Sequence, residues 1–219
     1  MVPVRVMLVD DQALVRSGLR AVLEAADGID VVAEAGDGAD AIPLVREHRP
    51  DVVLMDLNMP RIGGVEATLH LLRLPDPPRV LVLTTFNTDD MVMDALQAGA
   101  SGFLLKDLRA EELEHAVRCV AAGGTSFAPQ IMTKLVARAR GKSAVGRRDL
   151  EAKIASLTDS ERAIIALLGK GMTNQQIAEE LNLAIASVKT YVSRMLVRLG
   201  LENRTQAAIL AYEAGYVGK

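Results

Sequence analysis

The chain has 219 residues, half of them apolar, with a formal net charge of −3 and one cysteine. That length holds two small domains with separate cores, while no apolar run approaches the ~20 residues that span a bilayer. Cys119 alone excludes an internal disulfide and fits a reducing cytoplasm, His48, His70 and His115 lack ligand spacing for zinc, and strand-like sequence starts too near Met1 for a signal peptide.

Charge is unevenly spread. Residues 1–137 carry 12 Lys+Arg against 20 Asp+Glu, or −8, and residues 138–219 carry 13 against 8, or +5. An acidic half joined to a basic half predicts two jobs, the second on nucleic acid.

Val4 to Val9 reads as a buried strand. Gln12 to Leu23 follows with Leu14, Val15, Leu19, Val22 and Leu23 at a helical period. Val31-Val32-Ala33 is a short second strand, and a helix-like segment runs on to about His48. Pro43 inside that segment removes a hydrogen bond, at about 3 kcal/mol for an interior position, so this helix is expected to be short, kinked or begun late. Val52 to Met55 is the third strand, Val65 to Arg73 a helix and Val80 to Leu83 the fourth strand. Thr88 to Gln97 is a helix closed by Gly99. Gly102 to Leu105 is the fifth strand, and Arg109 to Ala122 the helix that Gly123-Gly124 stops. Near-continuous apolar strands alternating with helices predict a parallel sheet covered on both faces.

Three of these strands deliver charge at their carboxyl ends, where open α/β sheets bind ligands. Val6 to Val9 ends at Asp10-Asp11, Val52 to Met55 ends at Asp56 shortly before Pro60, and Gly102 to Leu105 ends at Lys106. Asp10, Asp11 and Asp56 make an all-oxygen pocket suited to a hard cation such as Mg²⁺. Such an ion, with Lys106, relieves the repulsion between the carboxylates. It also polarises a phosphoryl oxygen, so that one carboxylate can act as a nucleophile toward phosphorus. Thr84 and Thr85 end the fourth strand, and spacing does not choose which hydroxyl meets that oxygen.

Val9-Asp10-Asp11, Leu54-Met55-Asp56 through Met59-Pro60, Leu83-Thr84 and Phe103-Leu104-Leu105-Lys106-Asp107, in this order and spacing, resemble the receiver domain of bacterial two-component response regulators. The resemblance implies a doubly wound α/β fold with a five-stranded parallel sheet in flavodoxin-like order 2-1-3-4-5. It implies that Asp10 and Asp11 hold Mg²⁺, together with Asp56 and the backbone of Asn58. It makes Asp56 the acceptor of a phosphoryl group from a sensor histidine kinase, Lys106 the phosphate partner, Thr84 the switch hydroxyl and Phe103 the switch aromatic. Two features depart from the family pattern. Gly63 stands where relatives often carry Asp, which predicts a flexible Gly63-Gly64 beside the site, and Pro43 interrupts the second helix.

Beyond Pro129 a helix-like stretch, Gln130 to Arg138, leads into residues 139–153, whose Gly, Ser and mixed charges read as a mobile linker. Leu157-Thr158-Asp159-Ser160-Glu161 then starts a helix with a capping box between Thr158 and Glu161. Thr173 can cap Asn174 to Leu181, and a turn through Asn182 and Leu183 leads to a helix at about Ala186 to Leu199. On that helix Val188, Val192, Met195 and Leu199 share one face, Thr190, Ser193, Arg194 and Val197 lie opposite, and Lys189 flanks them. Two short helices, the second with a basic polar face, are the layout of a helix-turn-helix. Small hydroxyls let such a helix approach base edges while Lys and Arg meet phosphates.

Leu157-Thr158, Asn174 with Ile177-Ala178, Leu183, Val188-Lys189 and Leu199-Gly200 make Leu157 to Val217 resemble the LuxR-type DNA-binding domain. The resemblance implies an all-α, four-helix domain whose last helix, Thr205 to Ala214, forms a dimer contact. It implies contacts to double-stranded DNA from Asn174, Lys189, Thr190, Ser193 and Arg194. Ala184-Ile185-Ala186 departs from the usual Ser or Thr cap, an omission worth about 1 kcal/mol. Together the two resemblances point to a NarL/FixJ-type response regulator. They imply a receiver at 1–124, a helical extension and flexible linker at 125–153, and a DNA-binding domain at 154–219.

The expected function is a cytoplasmic transcription regulator, not an enzyme, without membrane contact, that dimerises when Asp56 is phosphorylated. A phosphatase or phosphotransferase using Asp56 is the enzymatic alternative. Haloacid-dehalogenase-like enzymes place an acid/base carboxylate two residues after the nucleophile; that position is Asn58 in this chain, which argues against turnover. A receiver that reads dimerisation or a ligand in place of phosphate is the third reading.

Overall fold

The computed structural model describes residues 2–84, 89–128 and 152–217. Thr85, the expected helix at 130–138 and residues 139–151 of the expected linker lie outside them. Contacts divide the chain into a first unit ending at Ala122 and a second beginning at Gly123.

The first unit alternates strand and helix throughout: β1 (Val4–Val9), α1 (Ala13–Glu24), β2 (Ile29–Ala35), α2 (Gly38–His48), β3 (Val52–Asp56), α3 (Gly64–Leu72), β4 (Arg79–Thr84), α4 (Asp89–Ala98), β5 (Gly102–Leu105) and α5 (Ala110–Ala121). The sheet order is β2-β1-β3-β4-β5-β6, six strands where five were expected. The addition, β6 (Ser126–Phe127), is two residues long and offers no apolar run to reveal it. Pairing among β1 to β5 is parallel throughout.

Parallel strands bury both faces, and β3 and β5 are buried along their whole length. Val6, Leu8, Leu54, Leu81, Leu83 and Leu104 form one face and pack on Leu113, Ala116, Val117 and Val120 of α5. Alternation sends their neighbours Met7, Val53, Val82 and Phe103, all fully buried, to the opposite face,. Each such side chain contributes about 1.5–3 kcal/mol when removed from water. Leu14, which shares the helical period of α1, is 85% exposed and lies off that packed surface.

Pro43 neither shortens nor delays α2, which runs through it for 11 residues. The proline lies on the exposed side, and Asp37 caps the helix start by accepting from the Ala39 N–H at 2.8 Å.

The second unit holds α6 (Asp159–Gly169), α7 (Asn174–Glu180), α8 (Ile185–Leu199) and α9 (Arg204–Glu213). Its core joins Ile164 and Leu168 of α6, Ile177 of α7, Val188, Val192, Met195 and Leu199 of α8, and Ala207 and Leu210 of α9. Both predicted caps form: Thr158 pairs with Glu161 and Thr173 with Gln176, each in a reciprocal capping box,. Asn182 takes the left-handed conformation (φ 52°) between α7 and α8, and Leu183 N–H closes the turn on Ala178 C=O at 2.8 Å. Ala184 stands at the N-cap of α8 with extended geometry and no side-chain hydrogen bond.

Candidate functional site

In-register parallel pairing gathers the strand ends. Val9 lies beside Met55, Asp56 beside Leu83, and Thr84 beside Leu105, so Asp10, Asp56, Thr84 and Lys106 converge at one edge. Carboxylate oxygens of Asp10, Asp11 and Asp56 lie within 4.8 Å of one another. Asp10 and Asp56 are buried, at 1% and 3% exposure, while Asp11 faces outward. The Lys106 ammonium bridges the buried pair, with Nζ 2.7 Å from Asp10 Oδ2 and 3.0 Å from Asp56 Oδ1.

Burial pushes the Asp56 carboxyl above its usual range; Lys106 opposes this, and Asp10 adds to it. For Lys106, burial alone would lower the pKa, but its bonds to Asp10 and Asp56 outweigh that and hold it above the ordinary value. The pocket therefore keeps a buried ammonium charged beside Asp56, whose carboxyl burial makes reluctant to ionise. All-oxygen donors of this charge fit a small divalent cation better than a soft metal.

Thr84 is buried at the end of β4, and Phe103 is fully buried in β5. Asn58 is exposed just past β3. Gln12 N–H donates to Asp10 Oδ1 at 2.9 Å and Arg16 donates to Asp10 C=O at 2.5 Å, which fixes the Asp10 backbone and carboxylate.

Of two residues that shape this pocket, one escaped the sequence reading and the other has a role different from the flexibility expected of it. Asp37 is buried, and beyond capping α2 it accepts from Arg61 N–H at 2.9 Å and Ile62 N–H at 3.3 Å, tying down the loop that follows Asp56. Burial alone would raise its pKa; these backbone donors, with Arg61 nearby, hold it below the usual carboxylate range. An Asp directly before a helical pattern was the available signal. Gly64 is the second. It is not a loose hinge, because its N–H donates to Leu57 C=O at 3.0 Å and a Cβ there would sit 2.0 Å from Asp56 O.

In the second unit, α8 buries Val188, Val192, Met195 and Leu199 and exposes Lys189, Thr190, Ser193 and Arg194. Neither Lys189 nor Arg194 forms an ion pair among the described residues, whereas Arg198 pairs with Glu161 at 2.5 Å. Asn174 is half-buried, and its Oδ1 accepts from Arg204 at 3.5 Å.

Residues 6–118 match the response regulator receiver domain, and residues 155–211 match the luxR family of bacterial regulatory proteins. The chain belongs to the response regulators. It joins the receiver to a luxR-family unit, as a DNA-binding transcriptional regulator of the two-component class. It is 44% identical to the DNA-binding transcriptional activator DevR/DosR of Mycobacterium tuberculosis over 96% of this chain and 94% of that one. It is 39% identical to the transcriptional regulatory protein LiaR of Bacillus subtilis, over 95% of this chain and 97% of the relative. Among solved structures, the response regulator ChrA of a haem-sensing two-component system aligns over 99% of this chain and 100% of that one, at 34% identity and a TM-score of 0.56. No described helix of this response regulator is long and apolar enough to cross a membrane.

Proposed function

We propose that Asp56 is the phosphoacceptor of this response regulator and that its phosphorylation controls dimerisation and promoter binding. The observation that carries the reading is the convergence of the Asp10, Asp11 and Asp56 carboxylates, with the Lys106 ammonium between Asp10 and Asp56. Asp10, Asp11, Asp56 and the Asn58 backbone carbonyl would hold Mg²⁺, which when bound screens the phosphoryl oxygens.

An Asp56 carboxylate oxygen attacks the phosphorus of a phosphohistidine on the sensor kinase. The O–P bond forms, the P–N bond breaks, and the departing imidazole nitrogen keeps the electron pair and takes a proton from solvent. Lys106, already against Asp56, turns to a phosphoryl oxygen and offsets the added negative charge. The Thr84 hydroxyl donates to another phosphoryl oxygen, and Phe103 repacks behind it, changing the receiver packing in favour of a dimer. Asn58 offers no carboxylate for general acid–base work, so the phosphoryl group is stored and not passed to further substrates.

In the second unit, taken as the reading domain from residue 154 onward, Asn174, Lys189, Thr190, Ser193 and Arg194 contact double-stranded DNA. Lys189 and Arg194 neutralise phosphates. A dimer presents two copies of α8 to paired half-sites, in the cytoplasm where its DNA lies. The test is size-exclusion chromatography and DNA footprinting with and without acetyl phosphate and Mg²⁺. A shift to dimer with a footprint at lower protein concentration supports the reading; unchanged size and footprint despite stoichiometric phosphorylation refutes it.

A further inference from the structure

The stripe of α8 directly opposite its buried residues carries few of the groups that read bases by hydrogen bonding. At 100° per residue, Ala186, Thr190, Ser193 and Val197 fall in one stripe within about 60°, directly opposite the buried Val188, Val192, Met195 and Leu199,. Lys189 and Arg194 flank it on either side. None of the four stripe residues can make the bidentate pairs by which Arg reads guanine or Asn and Gln read adenine. Thr190 looks polar in the sequence, but its Oγ1 donates back to Ala186 C=O at 2.9 Å. The hydroxyl proton is thus spent inside the helix, and the γ-methyl is left on the reading surface. Val197 is 82% exposed, an isopropyl group held in water at the far end of the same stripe. Of the four side chains, only Ser193 retains a polar group that no described hydrogen bond engages.

We propose that this helix selects its DNA site through the 5-methyl groups of thymine, packed against Thr190 Cγ2 and the methyls of Ala186 and Val197. The inference rests on α8 being the base-reading helix. Apolar contact with the thymine methyl is the major-groove feature that the methyls of this stripe can distinguish, whatever hydrogen bond Ser193 makes beside them. Lys189 and Arg194 flank the stripe and add affinity through phosphates, and neither charge distinguishes thymine from uracil. The half-sites should therefore place A·T pairs opposite the stripe.

The full chain, phosphorylated with acetyl phosphate and Mg²⁺, is used to select from a duplex library with a random core. Each thymine of the enriched core is then replaced by deoxyuridine, which removes the methyl group alone. Burial of one methyl-sized group predicts about fourfold weaker binding at each contacted thymine. Thr190→Ser keeps the back-bonding hydroxyl, and Val197→Ala changes an exposed side chain; each should erase the thymine–uracil difference at its own base. Lys189→Ala should weaken thymine and uracil duplexes alike. Equal binding of the all-uracil core overturns the proposal, as does full discrimination retained by both Thr190→Ser and Val197→Ala. A library from which nothing is enriched refutes the base-reading assignment itself, and is recognised by the lack of any sequence-dependent binding to compare.

Discussion

Asp56 and Lys106 hold opposite charges in a place that suits neither alone. The folded pKa of Asp56 lies above its ordinary value because the carboxyl is buried. Its contribution to stability is therefore fully present below the ordinary carboxylate pKa and is lost as pH rises through the folded value. Without divalent ions, Asp56→Asn should unfold at higher temperature than the wild type at pH 7.5, and the gap should close toward pH 3.5. Thermal unfolding followed by circular dichroism checks this, and a lower midpoint for the variant at pH 7.5 would contradict it. Lys106 is also raised, by its two carboxylate partners acting against burial, so its contribution persists until the solution is strongly alkaline. Lys106→Ala leaves Asp10 and Asp56 without their counter-charge, at a cost of about 3 kcal/mol, and millimolar Mg²⁺ should restore part of that loss in a urea titration. No recovery with Mg²⁺ would argue against these carboxylates as the cation site.

At the scale of elements, the structure sorts what a linear pattern can and cannot reveal. The strands were legible because burial on both faces leaves near-continuous apolar runs, and the Thr158–Glu161 capping box was legible because its partners are three residues apart; for Thr173 only the cap was legible, and the structure adds Gln176. Pro43 misled because interior proline is penalised without regard to which side of the helix it occupies, and this one is exposed. Gly64 misled because its role is a close approach to the Asp56 carbonyl that is visible only in three dimensions. Asp37 joins the start of α2 to the loop at Arg61 and Ile62, a connection over 24 residues with no sequence period. Gly64→Ala forces a Cβ onto the backbone of Asp56 and should abolish phosphoryl acceptance while the second unit stays folded; normal labelling of this variant would refute the required approach. The caps give a matched pair of tests. Thr173→Ala removes a formed cap and should cost about 1 kcal/mol, whereas Ala184→Ser supplies a missing one to α8 and should gain about 0.5–1 kcal/mol. Urea unfolding of the second unit's signal reads both, and changes of the reverse sign would contradict the cap assignments.

For the whole molecule, charge segregation and the order of strand-end residues already placed an anion-handling pocket before a basic helix-turn-helix. Sequence could not show that Lys106 already bridges both buried carboxylates, or that Thr190 spends its hydroxyl within the helix. Both depend on side-chain directions that no spacing encodes. On the function proposed, the receiver exchanges this internal ion pair for a phosphoryl group, and the reading helix meets bases with a surface that is mostly methyl. The central claim is that Asp56 accepts the phosphoryl group. Intact-mass measurement after acetyl phosphate and Mg²⁺ tests it most directly: the wild type should gain one phosphoryl mass and Asp56→Asn none, whereas an equal gain in the variant would contradict the account.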